Sequence, residues 1–272
     1  MKLKNIFRAA TAAALCAGVM APASAAYVVL DGWQLATPGT LTTNIGRLNL
    51  VSGTATVEQE VNASNNAFVG ARFVESGAIY SISYTKENVV GAGDVSGGLP
   101  TNLPDGLTLA FTNVSGHVIQ LNAGGGFKYV FDSGNFTISG NSGTYSTGSI
   151  IGLGGNASST AVIGGFNGDS TLFGTIATIL QQQFDLRDSN GVSLKPELAT
   201  GSVLMEAVTN NNTTGVVGQG ACSFDATATC VSLSVASAGD AYLVRAVPEP
   251  GSLALAGLAL FGIGAIRRRA SK

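Results

Sequence analysis

Short runs of β-branched and aromatic residues recur along the chain, separated by Gly, Asn, Asp and Ser. Runs of this kind predict strands at 27–30, 45–51, 54–61, 68–74, 78–86, 107–112, 117–121, 127–131, 135–139, 202–208, 231–236 and 242–247. Several alternate with period two. Val57, Gln59 and Val61 share a face opposite Thr56, Glu58 and Glu60, and Phe136 and Ile138 point away from Asn135 and Thr137. The stretch Tyr80-Ser81-Ile82-Ser83-Tyr84 is only half-patterned. Asp31-Gly32, Asp105-Gly106, Ser133-Gly134-Asn135 and Asn190-Gly191 supply turn residues that tolerate positive φ. The expected fold is mainly all-β, an antiparallel sandwich or jelly-roll-like body. From Ser170 to Arg187 the pattern changes: Leu172, Phe173, Ile176, Ile179, Leu180 and Phe184 follow helical spacing, which predicts one amphipathic helix packed on the sheets. Positions 140–168 and 210–220 are rich in Gly, Ser, Asn and Thr and read as rim loops.

The two chain ends carry a different pattern. Lys2, Lys4 and Arg8 precede an apolar run, and Ala23-Ser24-Ala25 fits the small-x-small cleavage rule, with Ala26 at or near the mature start. Residues 1–25 therefore read as a secretory signal peptide. At the other end, residues 251–266 hold no charge, and Ser252 is their one strongly polar side chain. As a helix they would span roughly 24 Å, the short limit for a hydrocarbon core of about 30 Å. Arg267, Arg268 and Arg269 follow, and a cationic cluster of this kind stays on the cytoplasmic side. Pro248 and Pro250 stop a helix from running upstream. The expected organisation is a leader at 1–25, an extracytoplasmic β-rich domain at 26–247, and a tail at 248–272.

Charge narrows the partners of the body. Of 14 Lys and Arg, three lie in the leader and four in the tail, which leaves seven; of 16 Asp and Glu only Glu249 lies in either, which leaves 15. A net charge of −8 on 26–247 argues against nucleic acid, which needs a basic face, and against anionic lipid. Cys16 leaves with the leader, so Cys222 and Cys230 remain as an even pair in an oxidising compartment. Two extended arms joined by a turn near 225–228 would bring them within disulfide reach.

No catalytic set emerges, and the body is not expected to be an enzyme. Gly91 and Gly93 begin a dinucleotide-like run, but Ser96 replaces the third glycine and prolines follow, so a glycine-rich hairpin loop is the reading. His117 is the sole histidine, and no Gly-x-Ser-x-Gly elbow is present. Fifteen acids permit, without indicating, a glycosidase pair. Trp33, the one tryptophan, is a possible glycan contact or else a core or rim residue. Oxygen-rich stretches at 188–191 and 167–169 would suit calcium, but Asx turns and helix caps account for the same residues, so no metal or cofactor is assigned.

The tail carries a resemblance. Val247-Pro248-Glu249-Pro250-Gly251-Ser252, the apolar segment, and Arg267-Arg268-Arg269 near the terminus resemble the PEP-CTERM sorting signal. The likeness covers about 25 residues. It implies a substrate of exosortase, an integral membrane transpeptidase of exopolysaccharide-producing Gram-negative bacteria, acting near Pro248, Glu249 and Pro250. The tail would anchor the protein in the inner membrane only until processing, as with other removable hydrophobic tails. The body, including Asp31-Gly32-Trp33-Gln34-Leu35, is similar to flocculation-associated PEP-CTERM proteins. That likeness implies an exported surface or matrix protein that associates with exopolysaccharide and promotes aggregation; a carbohydrate-binding module is the alternative.

Overall fold

The computed structural model describes residues 26–86 and 99–247. The leader, the glycine run at 87–98, and the tail with Pro248, Glu249, Pro250 and Arg267–Arg269 lie outside the described residues. The strands are β1 (Ala26–Val29), β2 (Trp33–Thr37), β3 (Thr40–Glu60), β4 (Arg72–Lys86), β5 (Thr101–Asn102), β6 (Thr108–Leu121) and β7 (Phe127–Gly140). There follow β8 (Gly143–Ile151), β9 (Gly154–Ala157), β10 (Asn167–Ile179), β11 (Asp185–Arg187), helix α1 (Lys195–Thr200), β12 (Val203–Cys222) and β13 (Asp225–Val247). Val29–Arg245 forms one compact unit.

The antiparallel all-β class expected from the alternation is what the chain adopts. Its layout is one sheet, not two facing layers. Hydrogen-bonded neighbours run β13-β12-β10-β8-β7-β6-β4-β3, and β3 pairs in turn with β13, so eight strands close a ring. A closed ring removes the long unpaired edges that an open sheet exposes. Inward positions are apolar: Leu48, Leu50, Ala55 and Val57 on β3, and Val231, Leu233 and Val235 on β13. Outward positions are mixed: Thr54, Thr56, Thr112, Asn135, Asn210 and Asn212 are exposed, and so are Val51, Tyr80, Ile119, Val208 and Val217.

The paired runs of the sequence fuse into long single strands. Positions 45–51 and 54–61 both lie in β3, 107–112 and 117–121 in β6, and 127–131 and 135–139 in β7. What separates each pair is a bulge, not a turn. Register shifts fall at Leu50/Ser52, Glu75/Gly77, Thr112/Ser115 and Ser237/Gly239. They line up across the ring. Ser237 faces Gly53, Gly77 faces Ala55 and Phe111, Glu75 faces Val114, Ser115 faces Ser133, and Gly134 faces Ile150. Bulges bend strands and increase twist, so a belt of them lets long strands wrap a narrow barrel. The half-patterned stretch sits here: one bulge puts Tyr80 and Ser81 outward together between buried Ile79 and Ile82.

Three expectations are corrected. Ser170–Arg187 is not a helix but most of β10, a turn at 180–184, and β11; among the described residues the α-helix is the six-residue α1, entered through Pro196 and closed by Gly201 at φ 72°. The expected loop at 140–168 contains β8, β9 and a 3₁₀ turn at Val162–Gly164. The expected loop at 210–220 lies inside β12. Strands β8 and β9 form one broken stave against β7 and β10, interrupted where Gly152 and Leu153 take φ 51° and 69°.

The disulfide Cys222–Cys230 forms, with Cα atoms 4.9 Å apart, at the tip of the β12–β13 hairpin. At the same tip Asp225 accepts bonds from the Thr227 hydroxyl and N–H and pairs with Arg72 at 2.6 Å, which together lower its carboxyl to about 2. Arg72 also lies over the Phe224 ring. Replacing both cysteines by alanine removes a cross-link of sequence separation 8, and the expected cost is about 2–3 kcal/mol by loop-closure entropy. Denaturant unfolding of the variant beside the wild type measures it.

Candidate functional site

Of the residues singled out in the sequence, the ring draws one into its interior. Trp33, at the start of β2, is 1% exposed and packs in the core, so its face is not offered to a polysaccharide outside the barrel. The glycan contact proposed for it therefore has no accessible surface here. Its indole Nε1 is buried without a hydrogen-bond partner. His117 stays on the outer face of β6, with Nδ1 3.0 Å from Asp132 Oδ2, while the Ser115 hydroxyl bonds Ser133. Asp188 Oδ1 accepts the N–H groups of Asn190 and Val192, an Asx turn that uses up its loop-facing oxygen. Asp169 lies on β10 and pairs with Asn156 across to β9. Among the described residues, no three His, Cys, Asp or Glu side chains gather at one point.

The interior holds a group that the sequence reading passed over. Counting by twos from Phe73 puts Glu75 on the inner face of β4. The predicted strands at 68–74 and 78–86 leave 75–77 between them, and that gap hid it. Glu75 is 9% exposed, between Val57 of β3 and Val114 of β6. It makes no hydrogen bond and no ion pair with any described residue. Burial alone raises its carboxyl from 4.5 to about 7.

Other polar side chains share this level of the barrel, and they satisfy one another. Asn211 donates to Ser170 Oγ at 2.9 Å and accepts from Ser237 Oγ at 2.7 Å. The Tyr129 hydroxyl lies 2.8 Å from Ser170 Oγ and 3.1 Å from the Asp169 carbonyl. Burial pushes the Tyr129 phenol up, and the nearby Glu75 charge adds to the shift. The result is a polar layer at the height of the bulge belt, inside an otherwise apolar core.

Two cavities meet at that layer. One, of about 80 Å³, is walled by Trp33, Phe111, Phe131, Phe136 and Phe184 among many aliphatic side chains. The other, about 30 Å³, lies against Phe73, Phe127, Tyr129 and Phe166. Glu75 and Asn211 border both. Phe73, Tyr129 and Phe131 pack edge-to-face with centroids 5.4–5.7 Å apart, which adds about 0.5–1.5 kcal/mol per pair beyond burial. Chemically the interior offers the Glu75 carboxyl, aromatic rings, the hydroxyls of Ser170, Thr209 and Ser237, and, among the described residues, no metal-binding cluster of His, Cys, Asp or Glu.

Comparison with known proteins bears on the tail alone. Residues 246–269 match the family model of the PEP-CTERM protein-sorting motif. No curated protein and no solved structure matches the chain. The C-terminus thus carries the motif that marks an exosortase substrate, and the resemblance read from the three-part tail holds. The likeness of the body to flocculation-associated proteins has no counterpart among these matches.

Proposed function

For a chain that ends in an exosortase sorting motif, we propose the role of an exported, non-catalytic surface or matrix protein of a Gram-negative cell. The signal peptide takes the body across the inner membrane. The apolar segment and Arg267–Arg269 hold it there while exosortase acts near Pro248, Glu249 and Pro250. The released body then associates with exopolysaccharide and promotes flocculation. The observation that carries this reading is the sorting motif at 246–269, directly behind the last strand.

The barrel supports the role physically. The Thr, Ser and Asn of its outer face offer many hydroxyls and amides to a hydrated polymer. Each such contact is weak, but many displayed bodies sum to firm attachment. The acidic balance suits a neutral glycan better than a polyanion. With Trp33 buried, a dedicated carbohydrate module loses the aromatic platform that motivated it.

Mass spectrometry of the C-terminus tests the proposal. Protein recovered from the matrix is expected to end near residue 250. A variant with Pro248, Glu249 and Pro250 all changed to alanine is expected to keep Lys272, stay in the membrane fraction and reduce flocculation. Matrix protein with an intact Lys272 end would refute the sorting step. Undiminished flocculation by the variant strain would refute the aggregation role.

A further inference from the structure

We infer that the barrel lumen is a binding site for a small organic ammonium ion with an apolar body. The inference concerns the interior and does not depend on where the protein is sorted.

The argument starts from what is left over. Asn211, Ser170, Ser237 and Tyr129 form a closed set of hydrogen bonds. Glu75 stands beside them with none to any described residue, on the wall of both cavities. A carboxyl kept in an apolar interior without a partner is costly, and nothing in the barrel scaffold requires a glutamate at this inward position. A ligand that brings its own donor removes that cost.

The walls narrow the class. Trp33, Phe111, Phe131, Phe136 and Phe184 place aromatic rings around the larger cavity. Aromatic rings plus one carboxylate are the combination that recognises an organic cation: ring faces attract it, and the carboxylate takes a charge-assisted hydrogen bond. An anion would meet the like charge of Glu75. A purely apolar guest would leave the carboxyl as unpaired as before. Size sets the scale. At roughly 10–15 Å³ of such space per water-sized position, 80 Å³ offers about five to eight positions, the span of a six-carbon amine. Among the described residues no Lys or Arg lines either cavity, and the one other titratable group on their walls is Tyr129, which burial holds neutral at physiological pH.

The single tryptophan provides the readout, because Trp33 lies on the cavity wall. The purified full chain is titrated with n-hexylamine and, separately, n-hexanol at pH 8, following Trp33 fluorescence. Hexylamine is expected to bind at least ten-fold more tightly than hexanol, and Glu75→Gln is expected to abolish that preference. A second measurement needs no variant. In the wild type, hexylamine affinity is expected to fall at least ten-fold from pH 8 to pH 5, as Glu75 takes up its proton, while hexanol affinity stays level. Equal affinity for the two guests, no fluorescence response to hexylamine, a preference retained in Glu75→Gln, or parallel pH profiles would each overturn the inference.

Discussion

Glu75→Gln is expected to stabilise the protein by about 3 kcal/mol more at pH 8 than at pH 4.5. The side chain sits in the polar layer, 9% exposed and without a hydrogen-bond partner among the described residues. Burial raises its carboxyl from 4.5 to about 7. A carboxyl raised in the folded state holds its proton longer than in the unfolded chain. Below about pH 4.5 both states are protonated and Glu75 carries no ionic penalty. As pH rises from 4.5 through 7, the unfolded chain ionises freely while the folded one resists, so stability drains away, and above 7 the loss levels off. The amide has nearly the same shape and no such titration. Urea unfolding of both proteins from pH 4 to pH 8 gives the difference directly, since other carboxylates cancel between them. A difference that stays constant over this range would mean that Glu75 is hydrated or paired in solution.

Phe136→Ala is expected to cost about 3–5 kcal/mol, the range for deleting a buried aromatic ring. Phe136 is 5% exposed, and its ring reaches from β7 over Gly148 of β8 towards Gly174 of β10. A methyl group added at Gly174 would stand 2.8 Å from that ring. Gly174→Ala should therefore destabilise by about 1–3 kcal/mol through overpacking. In the Phe136→Ala background the same change should be nearly neutral, a coupling that a double-mutant cycle reads. The sign separates two architectures. Were 170–187 helical, Gly174→Ala would stabilise by up to about 1 kcal/mol. Thermal or denaturant unfolding of the two single variants and the double variant decides it.

Glycine and serine explain why that segment misled. The inward row of β10 is Gly168, Ser170, Leu172, Gly174 and Ile176. Only two of these are large and apolar, because rings from β7 fill the volume: Phe136 over Gly174, and Tyr129 against Ser170. Period two is therefore faint, and the remaining apolar residues fall by chance at helical spacing. The β-branched content of Thr171, Thr175, Ile176, Thr178 and Ile179 was the signal that favoured a strand. Alternation on β3 and β7 was legible because their inward side chains are themselves large, as at Val57, Phe136 and Ile138. The bulges were misread for a local reason: Ser-Gly and Asn residues serve a turn and a bulge equally, and only the neighbouring strand decides which forms. Glu75 was obscured because it fell in the gap at 75–77 between two predicted strands. Closure of the ring was not legible, since it depends on β3 meeting β13 from the far end of the body. The sorting tail was readable in full because its signal is contiguous, from Pro248 to Arg269.

The β3–β13 seam sets an order of events during folding. The first long strand waits for the last before the cylinder can shut, and contacts so remote in sequence form slowly. Until β13 is in place, β3 lacks its partner on that side and the ring has no completed interior. On the proposed route, the membrane-held tail follows directly in sequence after this final strand. Under the proposed sorting, attachment to the bilayer would give a slow-closing cylinder time to shut before release.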